Sequence, residues 1–255
     1  MTRKTIITIA CAMLLPGAWS ARAEGVSVTL IPSFVSQYMF RGVRLGGPSF
    51  QPAVEIGLGS GALGVWSNFP LMDKVDGVSD PEIDPYGYYT ITLDSNLSVV
   101  PGFSLYTYPR ADKSAGFFKT SFEPSVAVNY TVSGVKLTPK LYYDIVLEGP
   151  TLEFAAARSV PLKEAGTSLD FAATVGTYRW DNAAEDTTPK LKNWGDYWQV
   201  GVSSPFALSK ASTLTVGFAY TKGTGNYYKQ AGTPREANPA AVGRGVVTLS
   251  YSCSF

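Results

Sequence analysis

The stretch "GVVTLSYSCSF" (Gly245–Phe255) sets Val247, Leu249, Tyr251, Cys253 and Phe255 at every second position, against Thr248, Ser250 and Ser252 between them. Alternation of period two belongs to a β-strand whose two faces meet different surroundings. Soluble chains tend to finish in a frayed polar tail, whereas this apolar row runs to an aromatic. The expectation is a closing strand with its apolar face in lipid and its last aromatic at the membrane interface, so that Tyr251 and Phe255 act as the signal by which barrels are recognised for insertion. Cys253 then serves as a small apolar residue on the lipid side.

The same pattern recurs along the chain. Phe50, Pro52, Val54, Ile56 and Leu58 alternate with Gln51, Ala53, Glu55 and Gly57. Leu137, Leu141, Tyr143 and Ile145 alternate with Lys136, Thr138, Lys140, Tyr142 and Asp144. Leu169, Phe171, Ala173 and Val175 oppose Ser168, Asp170, Ala172 and Thr174. No sustained helical period interrupts them. The pattern predicts twelve strands near 26–40, 49–58, 62–69, 82–93, 97–108, 117–130, 135–145, 151–160, 167–179, 194–205, 212–221 and 242–255.

The connections sort by length. Those after even-numbered strands are short ("GSG", "DSN", "SG"), whereas those after odd-numbered strands are longer, with "RGVRLGGP", "PLMDKVDGVSDPE" and "VLEGP" among them. Short turns at one end and longer loops at the other describe an all-β fold, a transmembrane antiparallel up-and-down β-barrel of about 12 strands. A soluble sandwich would alternate too, but one face of nearly every strand here carries Asp, Glu, Lys or Arg, which a dry interior excludes. Aromatics near strand ends (Tyr38, Phe40, Trp66, Phe69, Tyr106, Tyr108, Trp180, Trp194 and Trp198) suit girdles at the two interfaces. Pro32, Pro52, Pro85, Pro101, Pro124 and Pro139 each remove a ladder donor, and several fall on the outward parity.

The first 25 residues read differently. Arg3 and Lys4, the apolar run Thr5–Leu15 and the small residues around "ARA" make a secretory signal peptide over residues 1–23, cleaved after Ala23, with the barrel over 24–255. The apolar run falls short of the roughly 20 residues of a membrane-spanning helix. A lipoprotein signal through Cys11 lacks a fitting lead-in, since "TIA" precedes it. Removing Arg3, Lys4 and Arg22 from 21 basic side chains leaves 18 against 20 acidic ones, a formal charge of −2. That balance shows no nucleic-acid footprint. Cys253 is then the one cysteine, so no internal disulfide forms. Histidine is absent. Nucleophilic catalysis of the Ser-His and Cys-His kinds therefore has no base, and zinc and copper lose their commonest ligand. Neither an enzyme nor a cofactor is expected.

With the strands placed, "SQYMFRGV" (Ser36–Val43), "LYTYP" (Leu105–Pro109), "KLYYD" (Lys140–Asp144) and the terminal "VVTLSYSCSF" together resemble the TorF family of porin-like bacterial proteins, also known as Gcw_chp. The resemblance implies an outer-membrane β-barrel and brings no catalytic residues with it.

The alternation turns twelve ionisable side chains inward: Arg41, Glu55, Glu82, Asp84, Lys119, Glu123, Lys136, Lys140, Asp144, Glu153, Asp170 and Arg244. They are the pore-lining candidates. Twelve strands stand between the filled eight-stranded barrel and the aqueous sixteen-stranded porin. Two readings of the bore follow: a narrow channel, or opposite charges interlocked into a plug. With seven acids against five bases, strong ion selectivity is not expected. Arg41, beside the permissive Gly42, either gates anions at the outer mouth or bonds the loop backbone and holds the first loop. Asp181, Glu185 and Asp186 lack the spacing of a dedicated calcium loop and read as solvated. The loop from Lys222 to Val242 fits a partner-binding segment, a fold into the bore or a mobile surface loop. The expected function is passive diffusion of small hydrophilic solutes or ions. The alternative is a non-conducting structural or adhesive barrel acting through its external loops. Expected partners are outer-membrane lipid, the barrel-insertion machinery and small solutes, with no nucleic acid.

Overall fold

The computed structural model describes residues 26–75, 78, 80–111, 119–180, 193–223 and 242–255. The expected signal peptide, the acidic Asp181–Asp186 segment and most of the 222–242 loop lie outside the described residues. Among those described, twelve strands form the wall: β1 (Val26–Val35), β2 (Ser49–Leu58), β3 (Gly61–Pro70), β4 (Glu82–Tyr89, continued by Ile91–Thr92), β5 (Leu97–Thr107), β6 (Thr120–Val132), β7 (Val135–Asp144), β8 (Gly149–Leu162), β9 (Thr167–Trp180), β10 (Asn193–Ala207), β11 (Ser212–Gly223) and β12 (Arg244–Ser254). Each is antiparallel to its sequence neighbours, and β12 closes on β1 through pairs such as Phe34↔Leu249 and Leu30↔Cys253. The expected up-and-down barrel is what forms. A closed ring leaves no sheet edge, which lipid could not satisfy.

The two faces follow the alternation. Phe171, Val202, Phe218 and Val247 stand side by side on β9 to β12. Phe171, Phe218 and Val247 are 47%, 50% and 53% exposed, although they are large and apolar. One residue earlier or later, Asp170, Ser203, Gly217 and Thr248 form the matching inner row. Such an outward belt gains from lipid what it would lose in water. Pro32, Pro52, Pro85, Pro101, Pro124 and Pro139 sit on the belt side. Pro32 faces Pro52 in the β1–β2 register, and pairing lapses on the far side of each, between Leu30 and Ser33 toward β12 and between Phe50 and Ala53 toward β3. The missing N–H thus costs a ladder step without shifting the register.

Two features depart from the sequence reading. The first strand stops at Val35 rather than near residue 40, and the chain then turns inward as a hairpin of Tyr38–Phe40 and Val43–Gly46. The "VLEGP" connection is short, only Ile145–Glu148 between β7 and β8, and it buries Leu147 against Tyr178 and Tyr197. Both segments have apolar partners inside the ring, and burial there outweighs continuing the strand.

Candidate functional site in the barrel bore

The hairpin crosses the bore. Its two-residue turn has Arg41 at φ +48° and Gly42 at φ +75°, the pair of left-handed residues that matches the twist of a tight hairpin. A Cβ on Gly42 would lie 2.6 Å from the Gly223 backbone of β11, so only glycine lets the tip approach the wall. Tyr38, Val43 and Leu45 pack with Trp66 and Tyr86 on β3 and β4, while Met39 joins Val35 and Val246.

From the tip, Arg41 reaches β6, close to diametrically opposite β1 in a twelve-membered ring. Its Nη1 and Nη2 each donate to Glu123 at 2.8 Å, one to each carboxylate oxygen. The side chains are 7% and 1% exposed. The guanidinium also stands 4.7 Å from the Phe40 ring centre and 4.8 Å from that of Tyr142 on β7. Burial alone would lower the pKa of Arg41, but the facing Glu123 carboxylate raises it, and the net result lies well above the ordinary value. A bidentate, charge-assisted pair of this kind is strong and directional.

Around it, carboxylates accept from phenols of the neighbouring strands. Tyr86 and Tyr88 donate to the two oxygens of Glu55 at 2.9 and 3.3 Å. Tyr38 and Tyr108 donate to Glu82 at 2.7 and 2.9 Å. Tyr142 and Tyr197 donate to Glu153 at 3.2 and 2.7 Å. Tyr106 donates to Glu123 at 2.8 Å, completing the shell of Arg41. Each phenol brings an apolar ring for filling space and one donor for a buried acid, which is what a water-poor cross-section demands.

One carboxylate mends the wall itself. Backbone pairing between β4 and β5 runs from Thr92↔Ser98 to Tyr86↔Ser104 and stops there. Beyond it the Thr107 amide donates to Asp84 Oδ1 at 3.0 Å, so a side chain stands in for the lost ladder. Asp144 plays a related part at the end of β7, accepting from Ser121 at 2.5 Å and from the amides of Val146 and Leu147 at 2.9 and 2.8 Å.

The twelve inward candidates therefore divide. Arg41, Glu82, Asp84, Glu123, Lys140 and Asp144 are buried between the middle of the bore and its loop end, with Glu153 half-buried beside them, and Glu55 is buried nearer the turn end of β2. Lys140 lies 4.2 Å from the Tyr142 ring centre. Lys119 is exposed at the rim, just before β6, with its carbonyl accepting the Tyr108 amide. Lys136 and Asp170 are half-buried toward the turn end, where Asp170 accepts from Ser159 and Ser168 at 2.6 and 2.9 Å. Arg244 opens β12 and is half-buried. Tyr251 stands exposed on the outer face, and Phe255 is exposed beyond β12 with its amide on the Val28 carbonyl.

The expected aromatic girdles need correction. Tyr38, Trp66 and Tyr106 are buried inside, Phe40 is partly buried among them, and Tyr108 points its hydroxyl at Glu82. Of that set, Phe69 and Trp198 face outward, while the side chains of Trp180 and Trp194 lie outside the description. Proximity to a strand end did not separate interface from bore, whereas parity with a neighbouring acid would have. Tyr86 and Tyr88, in phase with Glu82 and Asp84, carried that signal, and the hairpin carried none.

A family model described as a bacterial protein of unknown function (Gcw_chp) matches residues 20–249. No curated protein matches the chain by sequence. Among solved structures, the NanC porin, in a rhombohedral crystal form, aligns with a TM-score of 0.54 at 11% identity, over 89% of this chain and 98% of its own. The KdgM porin aligns with a TM-score of 0.52 at 11% identity, over 90% and 99%. LpxR from Salmonella typhimurium aligns with a TM-score of 0.50 at 8% identity, over 88% and 99%. At these identities the likeness is one of fold, that of outer-membrane barrels.

Proposed function

The chain belongs to that bacterial family, and from this premise we propose that it is an outer-membrane barrel passing small hydrophilic solutes or ions through a bore narrowed by its inner hairpin. The observation that carries this reading is the contrast between the two halves of the bore. Toward the turn end, the inward face carries a run of small polar side chains that remain partly exposed, Ser98, Asn129, Thr138, Asp170, Thr213 and Ser252, with Lys136 among them. They line a wet vestibule. Toward the loop end the bore tightens between the phenol-clamped acids of the wall, and the side chain that crosses the remaining gap, Arg41, is carried by a hairpin. A filter formed by a loop can yield without breaking the ring, whereas side chains of a closed wall cannot. The outward apolar belt supports the lipid location.

Purified protein in planar bilayers tests the proposal. Discrete current steps are expected, with larger or longer openings in Arg41→Ala, whose hairpin has lost its anchor. A silent bilayer for both proteins would sink the channel and leave a structural barrel acting through its external loops.

A further inference from the structure

We propose that the wall site holding Arg41 is a guanidinium-binding site, filled at rest by the hairpin's own side chain and open to competition from guanidinium-bearing solutes. The inference rests on the reading above, in which the hairpin is the constriction, and it names the class of solute that relieves it.

The site is built on the wall before the hairpin reaches it. Glu123 presents both oxygens to the bore, and the Tyr106 hydroxyl holds one of them at 2.8 Å. The Tyr142 ring forms one aromatic side, and the Tyr142 hydroxyl is itself held by Glu153 at 3.2 Å. Phe40 packs edge-on to Tyr106 at 5.7 Å and closes the remaining side, but it arrives with the hairpin. A carboxylate offering two parallel acceptors suits a planar, forked donor, and aromatic faces suit a delocalised and weakly hydrated cation. An ammonium is a compact, strongly hydrated point charge, so it gains less from both.

The occupant is held at a cost. Arg41 is a non-glycine residue in the left-handed region, where an L side chain is disfavoured. Its partner lies 82 residues away on the far side of the ring. A solute that binds the vacated site binds only the released state, and it therefore shifts the hairpin toward release by its whole affinity for that site. In the wild type the same solute binds more weakly, since Arg41 must leave first.

The test compares L-argininamide with L-lysinamide, which match in charge and differ in the fork. Binding is measured by calorimetry on detergent-solubilised full-length protein, and block of current is measured in bilayers. Arg41→Ala empties the site and is expected to bind argininamide about tenfold or more tightly than lysinamide, the scale of one charge-assisted bond. Wild type should bind argininamide more weakly than Arg41→Ala does. In Arg41→Ala/Glu123→Gln the preference should vanish. Equal binding of the two amides by Arg41→Ala, or a preference surviving Glu123→Gln, overturns the proposal. Should Arg41→Ala lose heat-modifiable gel migration, Arg41→Lys serves instead. It keeps a cation opposite Glu123 but no fork, so it should bind argininamide more tightly than wild type, and binding no tighter refutes the site. Selective binding with a silent bilayer would sink the channel alone, whereas a conducting barrel without the preference would sink the guanidinium site alone.

Discussion

The ring of Tyr197 lies against Gly176, its direct partner on the next strand, so closely that a Cβ on Gly176 would stand 2.2 Å from the ring Cζ. Two residues on, the relation reverses, with Tyr178 of β9 lying on Gly195 of β10. The same arrangement sets Tyr86 of β4 on Gly64 of β3. Glycine on one strand and tyrosine on its neighbour let a large ring lie along the wall instead of projecting across the bore, and Tyr197 and Tyr86 thereby aim their hydroxyls at Glu153 and Glu55.

Gly176→Ala should therefore push the Tyr197 ring off the wall and break its 2.7 Å bond to Glu153. Overpacking of this kind costs about 1–3 kcal/mol. Urea unfolding in lipid vesicles reads the loss, and in a double-mutant cycle with Tyr197→Ala the cost of Gly176→Ala should disappear, because the clash exists only while the ring is present. Equal stability of Gly176→Ala and wild type would refute the ring's placement.

Breaking the Arg41–Glu123 pair from one side strands a buried charge. Glu123→Ala is expected to cost about 3–5 kcal/mol, whereas Arg41→Met/Glu123→Leu, which removes both charges and refills the space, should stay near wild type. Denaturant midpoints for the two variants decide the matter. A double variant as weak as the single one would mean that the pair itself, not its desolvation, carries the stability.

At the β4–β5 seam, Asp84→Ala leaves the Thr107 amide without its acceptor, a loss of about 1–3 kcal/mol for a buried donor. Asp84→Asn keeps Oδ1 and should cost less. Hydrogen exchange at Thr107 is the direct measure, faster in Asp84→Ala and near wild type in Asp84→Asn.

Charge placed on the belt tests the membrane-facing surface. Val175 is 56% exposed on the outer face near the middle of β9. Val175→Arg should cost about 2–4 kcal/mol of folding free energy in a bilayer. Thr213→Arg, on the inner face near the turn end, should leave stability near wild type. A belt that tolerates arginine as well as the vestibule does would contradict a lipid-facing surface.

Period-two alternation and the lengths of the connections determined the outward face of the strands, their number and their order around the ring. In an antiparallel sheet, facing and pairing follow from local spacing and turn length, and Asp170 beside Phe171 or Lys140 beside Leu141 needed no distant partner to be placed. The end of β1 was not legible in the same way. Ser36 and Gln37 interrupt the strand without Gly or Pro, so Tyr38–Phe40 read as its continuation and residues 41–48 as an ordinary loop. Only contacts with β3, β4, β6 and β11 turn that segment inward, because its destination is set by partners distant in the chain. The tyrosines divide likewise: Tyr142 is assignable from its phase with Lys140 and Asp144, whereas Tyr38 and Tyr106 read from their strand-end positions as interface residues and lie buried in the bore. A phenol is at home both in a girdle and on a buried acid, and the choice was made by where the carboxylates of Glu82 and Glu123 came to lie once the ring had closed.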